Sequence, residues 1–232
     1  MDEGAAEGVS DPAAPARLLD RATELADRGD YAQSLALAER VIALSPDDAA
    51  AHVARAWAFE NLGDDRLADA REAYRTALSV DPGSLWAIAG LATVAERLGD
   101  PEEASRLFRR VADTAVPDDQ DDPEVLEIVG WSCFKAGRAG DAQSLFRRAL
   151  AADPSLMAVH LDLALAMLFS GEAGDAVREY RAALRSEDVH AVRAHAAVAL
   201  EDLLRSIGDD PARGPQGATA AADLLRSAAN AA

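Results

Sequence analysis

The chain has 232 residues, enough for one large domain or two small ones, and half of them are hydrophobic while only 5% are aromatic. Fifty-five are alanine, which excludes a β-sandwich built on branched and aromatic side chains at period two. It points to close-packed helices, where alanine carries no propensity cost. A formal charge of −18, from 23 basic and 41 acidic residues, leaves no phosphate-neutralising face, so nucleic acid and anionic membrane are not expected as partners.

Residues 1–14 are rich in alanine, proline and acids and lack the apolar stretch of a signal peptide, so they read as a disordered acidic N-terminus. From there a string recurs: a glycine, a small residue five later, a bulky one four after that, another small residue three on, and a proline five further. It reads GDYAQSLALAERVIALSP from Gly29, ADAREAYRTALSVDP from Ala68, GDPEEASRLFRRVADTAVP from Gly99, GRAGDAQSLFRRALAADP from Gly137 and GEAGDAVREYRAALRSED from Gly171. The repeat ends, Pro46, Pro82, Val116, Pro154 and Asp188, are spaced by 36, 34, 38 and 34 residues. Apolar residues at three- and four-residue spacing, as in VLEIVGWSCF from Val125 and LFRRAL from Leu145, make each copy a pair of amphipathic helices. Pro46, Pro82, Pro117 and Pro154 end second helices, while Pro101 and Pro123 sit where a first helical turn accepts them. After Asp188, VHAVRAHAAVALEDLLRSIG runs helically to Ile207 and reads as a capping helix. Residues 208–217, ending in DDPARGPQG, read as a linker, and residues 218–232 as a short C-terminal helix and tail bearing Leu224 and Leu225. The longest apolar run, Leu163 to Phe169, is too short to span a bilayer.

This pattern resembles the tetratricopeptide repeat, a 34-residue helix-turn-helix unit. The resemblance covers roughly residues 15–188 and its motif positions are named in each copy. The small residue opening the second helix is Ser34, Ala70, Ala104, Ala142 and Ala176; the bulky one four later is Ala38, Tyr74, Phe108, Phe146 and Tyr180. Copy one departs with Ala38 in place of an aromatic. Copy two has two extra residues at Asp64-Asp65, and four more follow copy three within Pro117 to Pro123. The expected fold is all-α: a right-handed α-solenoid of about five such repeats over residues 15–207, closed by the C-terminal capping helix.

Chemistry is sparse. His52 and His160 hold equivalent repeat positions, His190 and His195 fall on different helix faces, and no metal-ligand spacing occurs. Cys133 is alone, so no internal disulfide forms and a reducing cytoplasm is the simplest location. The acidic pairs Asp47-Asp48 and Asp64-Asp65, and the run around Asp118-Asp119 and Asp121-Asp122, lack a calcium loop's spacing and read as helix caps. No catalytic residue, metal or cofactor is expected, and the chain reads as a non-enzyme. Lys135 is the sole lysine, which with the alanine load looks like bacterial coding bias.

In the family, first helices line a concave groove. Counted from repeat starts at Pro15, Ala49, Leu85, Pro123 and Met157, the resemblance places all three tryptophans, Trp57, Trp86 and Trp131, in that groove. The same count places Glu60, Thr93, Glu96, Glu127, Phe134, Leu161 and Leu165 there as partner-binding residues, alongside Ala89 and Leu168. The basic residues of a carboxylate clamp are missing from the required positions. The expected function is therefore a cytoplasmic scaffold or chaperone-like adaptor that holds a peptide or amphipathic helix of a protein partner in an apolar groove. The alternative is a regulatory subunit docking on an enzyme such as an ATPase.

Overall fold

The computed structural model describes residues 13–117, 119–185, 189–207 and 211–231. Most of the expected disordered N-terminus, the repeat end at Asp188 and the start of the expected linker at Gly208 lie outside the described residues. Among the described residues there are twelve α-helices and no strand. The chain divides into two units, Met1–Leu107 and Phe108–Ala232.

The first unit holds α1 (Ala14–Asp27), α2 (Tyr31–Leu44), α3 (Ala49–Leu62), α4 (Leu67–Val80) and α5 (Leu85–Arg97), and α6 (Pro101–Ala112) carries the chain into the second. Helices pack in sequence: α1 on α2, α2 on α3, α3 on α4 and α4 on α5, with first helices also touching across pairs, α1 on α3 and α3 on α5. The second unit continues with α7 (Pro123–Lys135), α8 (Ala139–Ala152), α9 (Met157–Phe169) and α10 (Ala173–Ala183), packed in the same way. Each unit is thus a helical-repeat solenoid of the expected kind.

Local chemistry explains the punctuation. Asp30, Asp48 and Ser84 cap α2, α3 and α5 by accepting from the backbone N–H of Gln33, Ala51 and Ala87. Asp122 caps α7 through Glu124 N–H, so part of the acid load is spent on helix starts. Four first helices end alike. Gly29, Gly99, Gly137 and Gly171 adopt φ near +80°, with values of 78°, 79°, 80° and 84°. The following N–H reaches back to the Leu25, Ala95, Cys133 or Met167 carbonyl at 2.8–2.9 Å, the six-to-one bond of a Schellman turn. Pair two is the exception. Its two extra residues lie in a three-residue 3₁₀ turn, Asp64–Arg66, which Arg97 pins by donating to Asp64 at 2.7 Å and to the Glu60 carbonyl at 2.9 Å. In the second unit Arg148 does the same for the connection before α7, donating to the Pro117 and Gln120 carbonyls at 2.6 and 2.7 Å.

The motif residues are the core. Ala22, Ala56, Ala92 and Ala164 on first helices are fully buried, as are Ala70, Ala142 and Ala176 on second helices. Small side chains at these facing positions let helix axes close up, and in copies two to five a bulky residue fills the space beyond. Tyr74, Phe108, Phe146 and Tyr180 are all buried. At two places even alanine does not fit: a Cβ on Gly90 would land within the Tyr74 ring, and one on Gly130 would sit 2.8 Å from Phe146.

After α10, α11 (Val189–Ile207) packs on α9, and a 3₁₀ turn, Pro211–Arg213, leads to α12 (Ala218–Ala229). The stretch read as a linker is, from Pro211 onward, part of a packed turn, and the short C-terminal helix is core. α12 packs on both α11 and α10, and its Ala218, Ala221, Ala222 and Leu225 are fully buried. Gly217, at φ 90°, brings the chain so close to the α9–α10 turn that a Cβ there would touch Ala173 at 3.0 Å and Leu168 at 3.1 Å. The physical reason is local. Ala221 and Leu225 repeat the small-then-bulky register of the other second helices, with leucine where the others carry an aromatic or Ala38.

Candidate functional site

In the first unit Trp57 lies on α3 and Trp86 on α5, two helices in direct contact, and both indoles reach the surface with 37% and 45% exposure. Tyr31, the first residue of α2, meets Trp57 edge-on, with ring centroids 6.4 Å apart at 70°. Burial first, then the charges of Asp27 and Glu60, pushes the Tyr31 phenol above its ordinary range. Glu60 is turned inward: its carboxylate accepts from the Tyr74 hydroxyl at 2.9 Å and stands 3.8 Å from Arg97. Burial and that carboxylate together hold the Tyr74 hydroxyl well above its usual range. Thr93 and Glu96 are half-buried on α5, the Thr93 hydroxyl donating to the Ala89 carbonyl at 3.2 Å.

In the second unit Glu127, Trp131 and Phe134 follow one another along α7. Trp131 is half-buried, packs its ring 5.6 Å from that of Phe134, and has the Lys135 ammonium 5.7 Å from its centroid. Phe134 is 8% exposed and meets Phe169 edge-on at 5.2 Å. Leu161 and Leu165 are each 2% exposed. They are core, because α9 is apolar on nearly every side and is enclosed by α7, α8, α10 and α11. Ala89 and Leu168 are buried too. Of the ten residues assigned to partner binding, Trp57 and Trp86 present large apolar surface, Trp131 presents less, and Glu60, Phe134, Leu161 and Leu165 are interior.

Sequence reasoning missed Asp162. It stands on α9 within MAVHLDLALAMLF, the lone acid in a helix that is apolar apart from it and His160, and that isolation was the signal. Burial first, then the charges of Glu127 and Asp202, pushes its carboxyl well above the ordinary range. Glu127 is raised to about 7, by burial and then by Glu124. A carboxyl raised on folding costs nothing below its unfolded range, so the stability it leaves intact at acid pH is lost as pH climbs from the ordinary 4.5 through about 7.

The candidate chemical residues have structural roles. His52 Nε2 donates to the Pro46 carbonyl at 2.8 Å, and His160 Nε2 to the Pro154 carbonyl at 3.2 Å. Each histidine thus ties down the proline loop six residues before it, which explains their equivalent positions. Cys133 is buried, its thiol pushed up by burial, and it donates weakly to the Ala112 carbonyl at 3.9 Å. Among the described residues no group of three or more His, Cys, Asp or Glu side chains is arranged to hold a metal ion, and no helix is long and apolar enough to cross a membrane.

Two family models, both described as tetratricopeptide repeat, match residues 61–130 and 19–84. Among curated proteins, cellulose synthase operon protein C of Xanthomonas axonopodis pv. citri (strain 306) is 31% identical over 189 residues, a match covering 79% of this chain. The chain spans only 12% of the length of that relative. Among solved structures, a thermophilic TPR protein of Thermus thermophilus superposes with a TM-score of 0.57 at 22% identity, covering 81% of this chain and 100% of that one. PilW, a type IV pilus biogenesis factor, does so with a TM-score of 0.52 at 23% identity, covering 93% of each chain. Likeness at this level of identity concerns the fold.

Proposed function

We propose that this chain, which belongs to the tetratricopeptide-repeat family, is a non-enzymatic scaffold that docks an apolar or amphipathic segment of a protein partner. The observation that carries this reading is the exposure of Trp57 and Trp86 on adjacent first helices. At 37% and 45% exposure each tryptophan leaves roughly 60–110 Å² in water (about 1.5–3 kcal/mol at 25 cal/mol per Å²), and aromatic anchors of this kind dominate interfaces. An acidic chain of net charge −18 favours partners that are neutral or basic. Trp131 offers a lesser anchor in the second unit, and a chaperone-like role in the cytoplasm is the setting that fits.

A second reading, a subunit that docks on an enzyme and regulates it, is favoured by one observation: the name of the Xanthomonas relative ties that protein to a cellulose synthase operon. Both readings use the same surface.

Trp57→Ala and Trp86→Ala should each weaken partner binding by about 2 kcal/mol, roughly thirtyfold, the scale of a hot spot. Because both indoles are already substantially exposed, the melting temperature should fall by no more than a few degrees. Calorimetry and a binding isotherm on the same preparations check this; unchanged affinity with a large loss of stability would return both residues to the core.

A further inference from the structure

Two half-buried carboxylates of the second unit, Glu127 and Asp162, have neither an ion pair nor a hydrogen bond. Among the described residues most acids that make a polar contact meet an arginine, a helix N-terminus or a hydroxyl, whereas neither Glu127 nor Asp162 makes an ion pair or a hydrogen bond. They stand on α7 and α9, which pack together, and each residue is half-buried. The charges that act on them are all negative: Glu124 on Glu127, and Glu127 with Asp202 on Asp162. Asp202 itself is engaged by Arg205 at 3.4 Å.

An independent feature converges on the same place. The Tyr180 hydroxyl of α10 is fully buried and has no hydrogen-bond partner, and the charges it feels are those of Asp162 and Asp202. The first unit shows how such a set looks when complete. Tyr74, at the repeat position equivalent to Tyr180, donates to Glu60, and the Arg97 guanidinium stands beside that carboxylate. In the second unit the Arg205 guanidinium stands on Asp202, and neither Glu127 nor Asp162 has one beside it.

We propose that Glu127 and Asp162 form a recognition site for an arginine side chain of a protein partner, with Trp131 as its apolar wall. This deepens the scaffold reading and rests on it. A guanidinium suits the site better than an ammonium, since its planar fork can engage two carboxylates at once and its face stacks on an indole. Trp131 is one helical turn beyond Glu127 on α7, the spacing at which side chains are neighbours on one face.

The test uses the full chain and two synthetic helix-forming peptides of alanine and leucine, identical except that the central residue is arginine in one and citrulline, its uncharged isostere, in the other. Binding followed by fluorescence anisotropy should favour the arginine peptide at least tenfold. Glu127→Gln and Asp162→Asn, which keep shape and remove charge, should each abolish that preference while the helical circular dichroism is retained. Equal binding of the two peptides, binding of neither, or a preference that persists in both variants would overturn the site. The arginine–citrulline comparison needs no variant and stands even if one misfolds. The scaffold reading would survive such a failure, because it is decided separately by Trp57→Ala and Trp86→Ala in the first unit.

Discussion

Gly90→Ala should destabilise the first unit by about 2 kcal/mol, seen as a drop of roughly 10 °C in its melting temperature. The new methyl would fall within the ring of Tyr74, and that ring has nowhere to go: it is buried and its hydroxyl is held by Glu60 at 2.9 Å. The overpacking cost of about 3 kcal/mol is offset only in part by the gain of about 1 kcal/mol that alanine brings over glycine in a helix. Gly140 is the control. It lies in the first turn of α8 with nothing within 4 Å of an added Cβ, so Gly140→Ala should be neutral or stabilising by up to about 1 kcal/mol. Scanning calorimetry of both variants measures the contrast, and equal stability would show that close approach at Gly90 is not what sets the helix spacing.

Removing residues 208–232 should destabilise the second unit by more than about 3 kcal/mol. Leu225 alone, fully buried, is worth about 2–5 kcal/mol when truncated to alanine. The deletion also strips Ala218, Ala221 and Ala222 from the faces of α10 and α11. The measurement is thermal unfolding of chains ending at Ile207 and at Ala232, with Leu225→Ala as the gentler version. Coincident transitions would mean that α12 adds nothing to the fold.

How much of this is legible beforehand follows from where the information lies. The helix pairs are visible because the copies solve the same packing problem in similar ways: small residues where axes meet, a bulky one beyond in four of the five, and a left-handed glycine at four of the five turns. Gly29, Gly99, Gly137 and Gly171 mark those turns in the sequence and hold them in the structure. α12 is harder to see, since Leu225 stands where an aromatic would announce a second helix and a longer connection precedes it. Exposure is harder still. Position in a repeat says which helix face a residue occupies, but whether that face is covered depends on the neighbours: α11 and the other helices around α9 bury Leu161 and Leu165, while Trp57 and Trp86 stay open. The repeat register assigns Glu60 to a surface, and Tyr74 and Arg97 instead draw it inward, a long-range set that spacing along one helix does not reveal. Asp162 is the opposite case, a conspicuous acid in an apolar helix whose meaning emerges only once Glu127 and Tyr180 are placed.

Occupation of the exposed tryptophan face of the first unit by another protein is tested most directly by replacing Trp57 or Trp86 with a photoreactive phenylalanine analogue in the native cells. The same analogue at Glu72, an exposed position on the second helix α4, serves as the control. Irradiation should give one discrete adduct, of the same mass, from positions 57 and 86 and none from position 72. Adducts absent from all three, or equally abundant at position 72, would contradict docking at this face.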